Sequence, residues 1–256
     1  MMKDKTLPLP KQCYFCHINK GLEVMKRIYN YDVKFLGTYD NFYVSPMIGA
    51  GIDGYVLVFH KDHYHSLADI PLRDIKSLRK LITIIKKEIR KSYGPSIVFE
   101  HGSTCDNISC LVDHAHLHIA PVSEGFDLAD EIERDYKLTL MRKYTDLKYW
   151  SQAGLGKLQY TIIDDKMDRK NAEKRFAPFS GYLYYENPSG KMFIHELKTL
   201  KMFQPQYLRM VLLKRLGKEH WEWNKNLDHE CQRRTIENLQ GLSKYLTPVK
   251  NIGAQQ

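Results

Sequence analysis

The stretch Asp113-His114-Ala115-His116-Leu117-His118-Ile119-Ala120-Pro121 places three of the chain's eleven histidines at every second position. This alternation is typical of a β-strand, because successive side chains of a strand point to opposite faces of the sheet. Residues two apart do not face each other on a helix, so the histidines converge only in a strand. The pattern predicts a row of imidazoles about 6.6 Å apart on one face. The other face then sends Ala115, Leu117 and Ile119 into a core.

Length and composition are those of an ordinary globular chain. Its 256 residues are 43% hydrophobic and 27% charged, which is enough to bury a core in one or two domains. No apolar run approaches the ~20 residues of a membrane span, and the N-terminus lacks the apolar core of a signal peptide. Five cysteines without a secretory signal disfavour a disulfide framework. We therefore expect a cytoplasmic protein with no membrane partner.

The net charge of +9 favours an anionic ligand. The basic excess is spread over short clusters, such as Lys86-Lys87 and Arg233-Arg234. A dispersed excess is more typical of a solvated surface than of a nucleic-acid-binding stripe. Small phosphates are therefore the favoured ligand class, and nucleic acid is the alternative.

Further strands and one long helix are predicted before the histidine stretch. Residues 55–59 form a continuous apolar run, which is typical of a buried strand, and residues 96–101 form a second strand candidate. Between them, residues 71–93 carry apolar side chains three and four positions apart, a pattern typical of an amphipathic helix that packs on a sheet. Gly94-Pro95 ends this helix. Short strands are also expected on either side of a turn at residues 38–41.

The character of the sequence changes after Val122. Polar and aromatic residues become frequent, and the periodicity weakens. The elements expected there are a charged helix at residues 127–143, a short strand at 160–163, a hairpin of residues 181–185 and 191–194, and helices at 205–215 and 229–245.

Cys13-Tyr14-Phe15-Cys16 has the C-x-x-C spacing of half a zinc site or of a redox pair. The βαβ pattern of thioredoxin-like proteins does not surround it, which favours the metal. The motif then needs two more ligands from elsewhere in the chain. A glycine-rich loop at residues 46–54 leads into the strand at 55–59, which ends in several histidines, and this arrangement predicts a pocket wall.

The alternating run His114-Ala115-His116-Leu117-His118 resembles the signature of the histidine triad superfamily. Val98–Gly102, Pro205–Arg209 and Trp221–Trp223 resemble a longer bacterial-type branch, which is similar to the C-terminal part of splicing-associated eukaryotic proteins with this fold. The core resemblance covers roughly residues 13–122. It implies an α+β fold with a five-stranded antiparallel sheet and a packed helix. Residues 1–125 would form this domain with an N-terminal zinc knuckle, and residues 126–256 a smaller α+β extension packed on it.

Members of this family cleave a bond at the α-phosphorus of nucleotides. The resemblance implies that His116 is the nucleophile and forms a nucleotidyl-histidine intermediate, a role that suits neutral imidazole near pH 7. The carbonyl of His114 would fix its tautomer. His118 would donate to a phosphate oxygen and offset charge in the transition state. Backbone N–H groups of Ser109 and Cys110 would assist, although Cys110 stands where glutamine is commoner, which leaves a leaving-group role open.

Family members with an N-terminal C-x-x-C complete a zinc site with two histidines. The resemblance therefore implies a closed, structural Zn²⁺ site with four ligands. These are Cys13, Cys16, His63 and His114. His17 and His65 are alternative ligands, and the competing hypothesis is that His63 only forms a hydrogen bond and no metal binds.

By analogy, the loop at residues 46–54 and the turn at residues 39–41 would line the base and ribose pocket. The substrate-binding candidates are Asn41, Gly54, Ser109 and Cys110. Arg209 and Trp221, in the aromatic-rich C-terminal half, either cover the site or pack the extension.

The predicted activity is hydrolysis of a dinucleoside polyphosphate or a nucleoside phosphoramidate. A nucleotidyltransferase or phosphorylase shares the intermediate, but such branches usually carry glutamine at the third histidine, so His118 favours hydrolysis. A non-catalytic nucleic-acid- or protein-binding module is the alternative of a different class. Family members are commonly dimers, so a homodimer is expected unless the extension occupies that interface.

Overall fold

The computed structural model describes residues 13, 15–16, 18–49, 51–103, 114–132, 134–135, 181–197 and 206–249. Within them, seven strands form one antiparallel sheet in the order β1-β2-β3-β5-β4-β6-β7. The strands are β1 Gly37–Tyr39, β2 Phe42–Pro46, β3 Val56–His60, β4 Ser96–Ser103, β5 His116–Pro121, β6 Gly181–Glu186 and β7 Met192–Leu197. The helices are α1 Ile18–Tyr29, α2 Leu72–Tyr93, α3 Tyr207–Arg215 and α4 His229–Asn238.

The predicted α+β class is confirmed, but the sheet has seven strands where five were expected. The two additional strands, β6 and β7, come from the C-terminal half, and β6 pairs with β4 from Val98↔Glu186 to Ser103↔Gly181. The hairpin itself was predicted. Its partner strand was not, because alternation tells which face of a strand is buried and not which edge it joins. The division at residue 125 stays a prediction, and the ladder between β4 and β6 crosses it.

Strand β5 lies inside the sheet, between β3 and β4. Its register sets His118 opposite Leu57 on β3 and Phe99 on β4, and sets His116 opposite Phe59. We call the side that carries His116 and His118 the histidine face. The other side, which carries Leu117 and Ile119, is the aliphatic face.

The aliphatic face is covered by α2. Leu117 and Ile119 are fully buried there against Leu81, Ile85 and Ile89 of the helix. Burial of each such side chain contributes about 1.5–3 kcal/mol relative to an exposed one. The predicted helix at residues 71–93 is therefore confirmed, and it ends at Gly94, whose φ of 94° suits glycine.

The C-terminal half covers part of the histidine face. Leu208 and Leu212 of α3 pack with Tyr55, Ile97 and Phe99 in a second buried cluster. This cluster includes Ala120 and Val122, so it reaches the Pro121 end of β5. The C-terminal half thus packs near the end of β5, and the histidines lie nearer to its start.

Helix α4 is attached to the loop that precedes β3. The hydroxyl of Thr235 accepts a hydrogen bond from the backbone N–H of Gly54 at 2.9 Å. Arg234 forms an ion pair with Asp53, with 2.6 Å between its Nε and a carboxylate oxygen. Further along, Thr247 pairs with Thr38 of β1. The C-terminal half therefore contacts β1 at one edge of the sheet and supplies β7 at the other.

Two elements differ from the prediction. Helix α1 was not predicted, and the helix expected at 229–245 ends at Asn238 and continues as a 3₁₀ turn, Gln240–Lys244. Gly241 lies in that turn, and a Cβ there would meet the carboxylate of Glu88, so the chain passes close to α2 at that point. The strand expected at residues 160–163 and most of the helix expected at 127–143 lie outside the described residues. In the part of the chain that is described, no helix has the length and apolar character needed to cross a membrane.

Candidate active site and metal centre

His116 stands at the start of β5, and its Nδ1 lies 2.6 Å from the carbonyl oxygen of His114. A carbonyl oxygen only accepts hydrogen bonds, so Nδ1 carries the ring proton and Nε2 keeps a lone pair. Burial lowers the pKa of this imidazole, while the hydrogen bond to the carbonyl acts in the opposite direction. His116 is therefore a neutral imidazole with a nucleophilic nitrogen.

His118 lies beside His116, with 5.0 Å between the ring centroids. Its ring stacks on Phe99 at 4.7 Å with the planes within 7° of parallel. Its Nδ1 is 2.9 Å from the hydroxyl oxygen of Tyr55. Burial lowers the pKa of His118, and the positive charge of nearby Arg209 lowers it further. The ring is thus neutral and fixed in orientation.

A fourth histidine belongs to the same face. His101 follows Phe99 by two positions on β4, so both side chains point to the side that carries His118. The residue is 8% exposed, and burial lowers its pKa to about 4. The sequence contained the strand at residues 96–101, but the pairing of β4 with β5 was needed to place this histidine at the site.

Aromatic rings form a wall next to His116. Phe15, inside the C-x-x-C loop, lies 6.1 Å from the His116 ring at an angle of 22° and 4.4 Å from the ring of Phe59. Phe59 also stacks with Tyr43 on β2. Flat apolar rings of this kind can pack against a planar ligand. The sequence marked Phe15 only as part of the cysteine motif.

The four predicted metal ligands come together. The ligand atoms of Cys13, Cys16, His63 and His114 all lie within 4.8 Å of one another. Sγ of Cys16 is 3.2 Å from Nδ1 of His63 and 3.5 Å from Nδ1 of His114, and Sγ of Cys13 is 3.5 Å from the same His114 atom. Sulfur and nitrogen ligands of a tetrahedral zinc ion are separated by about 3.5 Å. The cluster therefore has the donor set and the spacing to hold a metal.

His114 has the tautomer that a ligand requires. Its Nε2 lies 2.7 Å from the carbonyl oxygen of His60, so Nε2 donates its proton there and Nδ1 keeps the lone pair that faces the cysteines. Burial lowers the pKa of His114 to about 4, against the effect of this hydrogen bond. A backbone carbonyl on β3 thus orients the first histidine of the motif toward the thiols.

The alternative ligands are placed differently. His65 lies near His63, with 5.2 Å between the rings, and it is not part of the four-residue cluster. His17 lies outside the described residues.

Arg209 of α3 is a buried cation near the histidines, with 3% of the residue exposed. Its guanidinium donates to the carbonyl oxygens of Trp221 at 2.7 Å and Ile48 at 3.4 Å, and also to that of Gly49. Burial lowers its pKa, and within the described residues it forms no ion pair. Arg209 therefore joins the loop before β3 to the C-terminal half and adds positive charge beside His118.

Of the four predicted substrate-binding residues, the two that the structure describes contact other parts of the chain. The amide nitrogen of Asn41 donates to the carboxylate of Asp74 on α2 at 3.0 Å, which places this side chain toward the aliphatic face. Gly54 has a φ of 78°, and a Cβ there would meet the ring of Tyr93 at 2.6 Å. Ser109 and Cys110 lie outside the described residues.

No family model and no curated protein matches the sequence. Solved structures do match. One is a Hit-like protein involved in cell-cycle regulation from Bartonella henselae, at 18% identity and a TM-score of 0.36, over 46% of this chain and 81% of that one.

Two other solved structures also match about half of this chain. A zinc-bound histidine triad family protein from Mycobacterium smegmatis matches at 24% identity and a TM-score of 0.33, over 46% of this chain and 80% of that one. A HIT family protein from Bacillus anthracis matches at 15% identity and a TM-score of 0.35, over 52% and 98%. The chain resembles histidine triad proteins in its fold. These matches are similarities of fold, and the chemistry of the histidine site has to follow from the residues present here.

Proposed function

We propose that this protein is a histidine triad nucleotide hydrolase that acts through a nucleotidyl-His116 intermediate. The observation that carries the proposal is the pairing of His116 and His118. His116 has an unprotonated Nε2 because its Nδ1 donates to a carbonyl oxygen, and the centroid of the His118 ring lies 5.0 Å from that of His116. A nucleophile beside a hydrogen-bond donor is the arrangement that phosphoryl transfer to a side chain requires.

The chemistry has two steps. In the first, Nε2 of His116 attacks the α-phosphorus, a P–N bond forms, and the bond to the leaving group breaks. In the second, water attacks the same phosphorus, the P–N bond breaks, and a nucleoside monophosphate leaves with His116 restored. Donation from His118 to a phosphate oxygen offsets the charge that develops in both steps. The substrates we expect are dinucleoside polyphosphates or nucleoside phosphoramidates.

The test is incubation of the purified protein with a panel of adenylated and guanylated polyphosphates and phosphoramidates. The wild type should release nucleoside monophosphate, and radiolabelled nucleotide should remain covalently attached after rapid denaturation. His116→Ala should neither release nucleoside monophosphate nor retain covalently attached nucleotide. His220→Ala removes an exposed histidine outside the site and should behave like the wild type. Absence of nucleotide release from every compound would overturn the proposal.

The same assay separates hydrolysis from group transfer. Inorganic phosphate or a sugar phosphate is added as an acceptor while the products are analysed. Monophosphate as the sole nucleotide product supports the hydrolase. A nucleoside diphosphate or a nucleotide sugar identifies the transferase or phosphorylase that shares the intermediate.

We further propose that the cluster of Cys13, Cys16, His63 and His114 binds structural zinc. When bound, the ion would tie the N-terminal segment to the histidine strand, and it would take no part in the bond-making step. Elemental analysis of protein purified without added metal should give about one equivalent of zinc. Cys13→Ser should lose it, and Cys231→Ala, a change to a buried cysteine elsewhere, should keep it. A metal-free wild type would refute this ligand set.

A second candidate function, nucleic-acid binding, is favoured by the surface of α2. The two acidic residues of this helix, Asp74 and Glu88, are buried, and its exposed side carries only cationic or neutral residues. The exposed cations are Arg73, Lys76, Lys80, Lys87, Arg90 and Lys91. This function predicts oligonucleotide binding that weakens steeply as the salt concentration rises, with equal affinity for wild type and His116→Ala. That result, together with no release of nucleotide by the wild type, would favour nucleic-acid binding over hydrolysis.

We also propose a reducing compartment as the location and a homodimer as the assembly. A reducing compartment such as the cytoplasm would keep Cys13 and Cys16 as the thiols that metal binding requires. A homodimer is implied by the resemblance alone, and sedimentation analysis of the full chain would test it.

A further inference from the structure

Each histidine of the triad has one ring nitrogen held by another group. Nε2 of His114 donates to the carbonyl of His60, and Nδ1 of His116 donates to the carbonyl of His114. Carbonyl oxygens only accept, so both tautomers follow from the partner. His118 is different, because its Nδ1 meets the hydroxyl of Tyr55, and a hydroxyl can both donate and accept.

Burial of Tyr55 decides the direction of this hydrogen bond. The residue is 1% exposed, so water does not serve its hydroxyl proton. Among the described residues, the acceptor that this hydroxyl meets is Nδ1 of His118 at 2.9 Å. If the imidazole donated instead, the phenol proton would be buried without a partner, and native structures avoid that arrangement. The hydroxyl therefore donates to Nδ1, and the ring proton of His118 sits on Nε2.

Other contacts support a single, neutral state of His118. The stack on Phe99 fixes the plane of the ring, and Tyr55 meets it from the side at an angle of 61°. Burial raises the pKa of Tyr55, so its hydroxyl keeps its proton, and burial lowers the pKa of His118, to which the positive charge of Arg209 adds. A nearby cation disfavours an imidazolium, so the ring of His118 carries a single proton. What the site depends on is which of the two ring nitrogens carries that proton.

We propose that Tyr55 is a positioning residue of the triad site: by donating to Nδ1 of His118, it holds the Nε2–H of that histidine ready for a phosphate oxygen. The proposal rests on the proposed nucleotidyl transfer to His116. It gives the two neighbouring rings opposite tautomers, with a lone pair on Nε2 of His116 and a proton on Nε2 of His118. The other tautomer of His118 would set a lone pair against the lone pairs of the phosphate.

The first test reads the tautomer directly. Long-range proton–nitrogen NMR correlations of the ¹⁵N-labelled full chain distinguish the protonated ring nitrogen of each histidine, and the His118→Ala spectrum assigns the signal. We expect the proton of His118 on Nε2 in the wild type. A proton on Nδ1 would overturn the proposal, whatever any variant does.

The second test is Tyr55→Phe, which removes the hydroxyl and keeps the ring. His118 should then populate both tautomers, and kcat for nucleotide release should fall by about 10-fold, less than the loss of a whole transition-state donor. KM should change by less than about 2-fold, because the ground state loses little. The matched control is Tyr185→Phe, which removes a buried hydroxyl from the same cluster but not from the histidines.

The outcomes separate the two proposals. A lower kcat with the tautomer of His118 unchanged would mean that Tyr55 acts only through packing, and the inference would be wrong. An unchanged kcat and an unchanged tautomer would also refute it. If the wild type releases no nucleotide at all, the proposed function fails, and the NMR measurement still tests the role of Tyr55 by itself.

Discussion

The two faces of strand β5 are held in different ways. On the aliphatic face, Leu117 and Ile119 contact other apolar side chains, mainly from α2. On the histidine face, His116 and His118 each depend on one polar atom, the carbonyl oxygen of His114 and the hydroxyl of Tyr55. Apolar packing is spread over many weak contacts, whereas a hydrogen bond depends on one donor and one acceptor. Substitutions on the aliphatic face should therefore lower the unfolding free energy, whereas substitutions on the histidine face should mainly lower the rate of the reaction.

The largest effect is expected for His118→Ala. Loss of a donor aimed at the phosphate should lower kcat by about 10²–10³-fold. The thermal unfolding temperature should fall less than after truncation of an aliphatic core residue, because the variant leaves the Tyr55 hydroxyl without its acceptor but keeps the packing of Phe99 and α3. The measurement is steady-state hydrolysis beside a thermal melt. Loss of folding in parallel with loss of activity would break the distinction between the faces.

Leu117→Ala tests the opposite face one residue away. Leu117 is fully buried against α2, and removal of such a side chain costs about 2–5 kcal/mol of unfolding free energy. Urea denaturation should show this loss, while kcat of the folded protein stays within about 3-fold of wild type, since small packing changes reach the histidines only through the backbone. A kcat effect as large as that of His118→Ala would contradict the comparison.

The sequence predicted the alternation of β5, which is a period of two, and the meeting of four candidate metal ligands, which follows from the family resemblance. It did not predict Tyr55 or His101 as parts of the site. Their roles depend on which strands flank β5 and in what register, and no local pattern contains that information. The resemblance also placed Asn41 and Gly54 in a pocket, while their contacts are with Asp74 and Tyr93.

Gly54→Ala separates a binding role of that glycine from a structural one. Its φ of 78° and the ring of Tyr93 leave no room for a Cβ, so we expect a loss of about 2 kcal/mol in unfolding free energy. KM for the nucleotide should not change, because the contacts of Gly54 are with Tyr93 and Thr235 and not with the histidines. Ser123→Ala, at an exposed position, is the control for a surface change. A raised KM at unchanged stability would restore Gly54 to the pocket.

The smallest effect concerns Glu100, a buried carboxyl on the same side of β4 as Val98. It accepts a hydrogen bond from the backbone N–H of Leu67 at 2.9 Å and another from the hydroxyl of Tyr182. Burial raises its pKa from 4.5 to about 8, so the folded chain holds a proton that the unfolded chain releases above its ordinary pKa. The stability contribution is therefore complete below pH 4.5 and is lost as the pH rises through about 8.

Between pH 7 and pH 8, the unfolding free energy of the wild type should fall by about 1 kcal/mol relative to that of Glu100→Gln, because the histidines titrate alike in the two proteins. Glu100→Gln replaces the protonated carboxyl by a neutral amide of similar shape and should flatten this slope. Urea denaturation at the two pH values measures it, and the pH dependence of kcat over the same range should be the same in both proteins. A slope that persists in Glu100→Gln would assign the titration to another group. A kcat profile that shifts with Glu100 would show that a titration on the aliphatic face reaches the histidines, and the separation between the two faces would not hold.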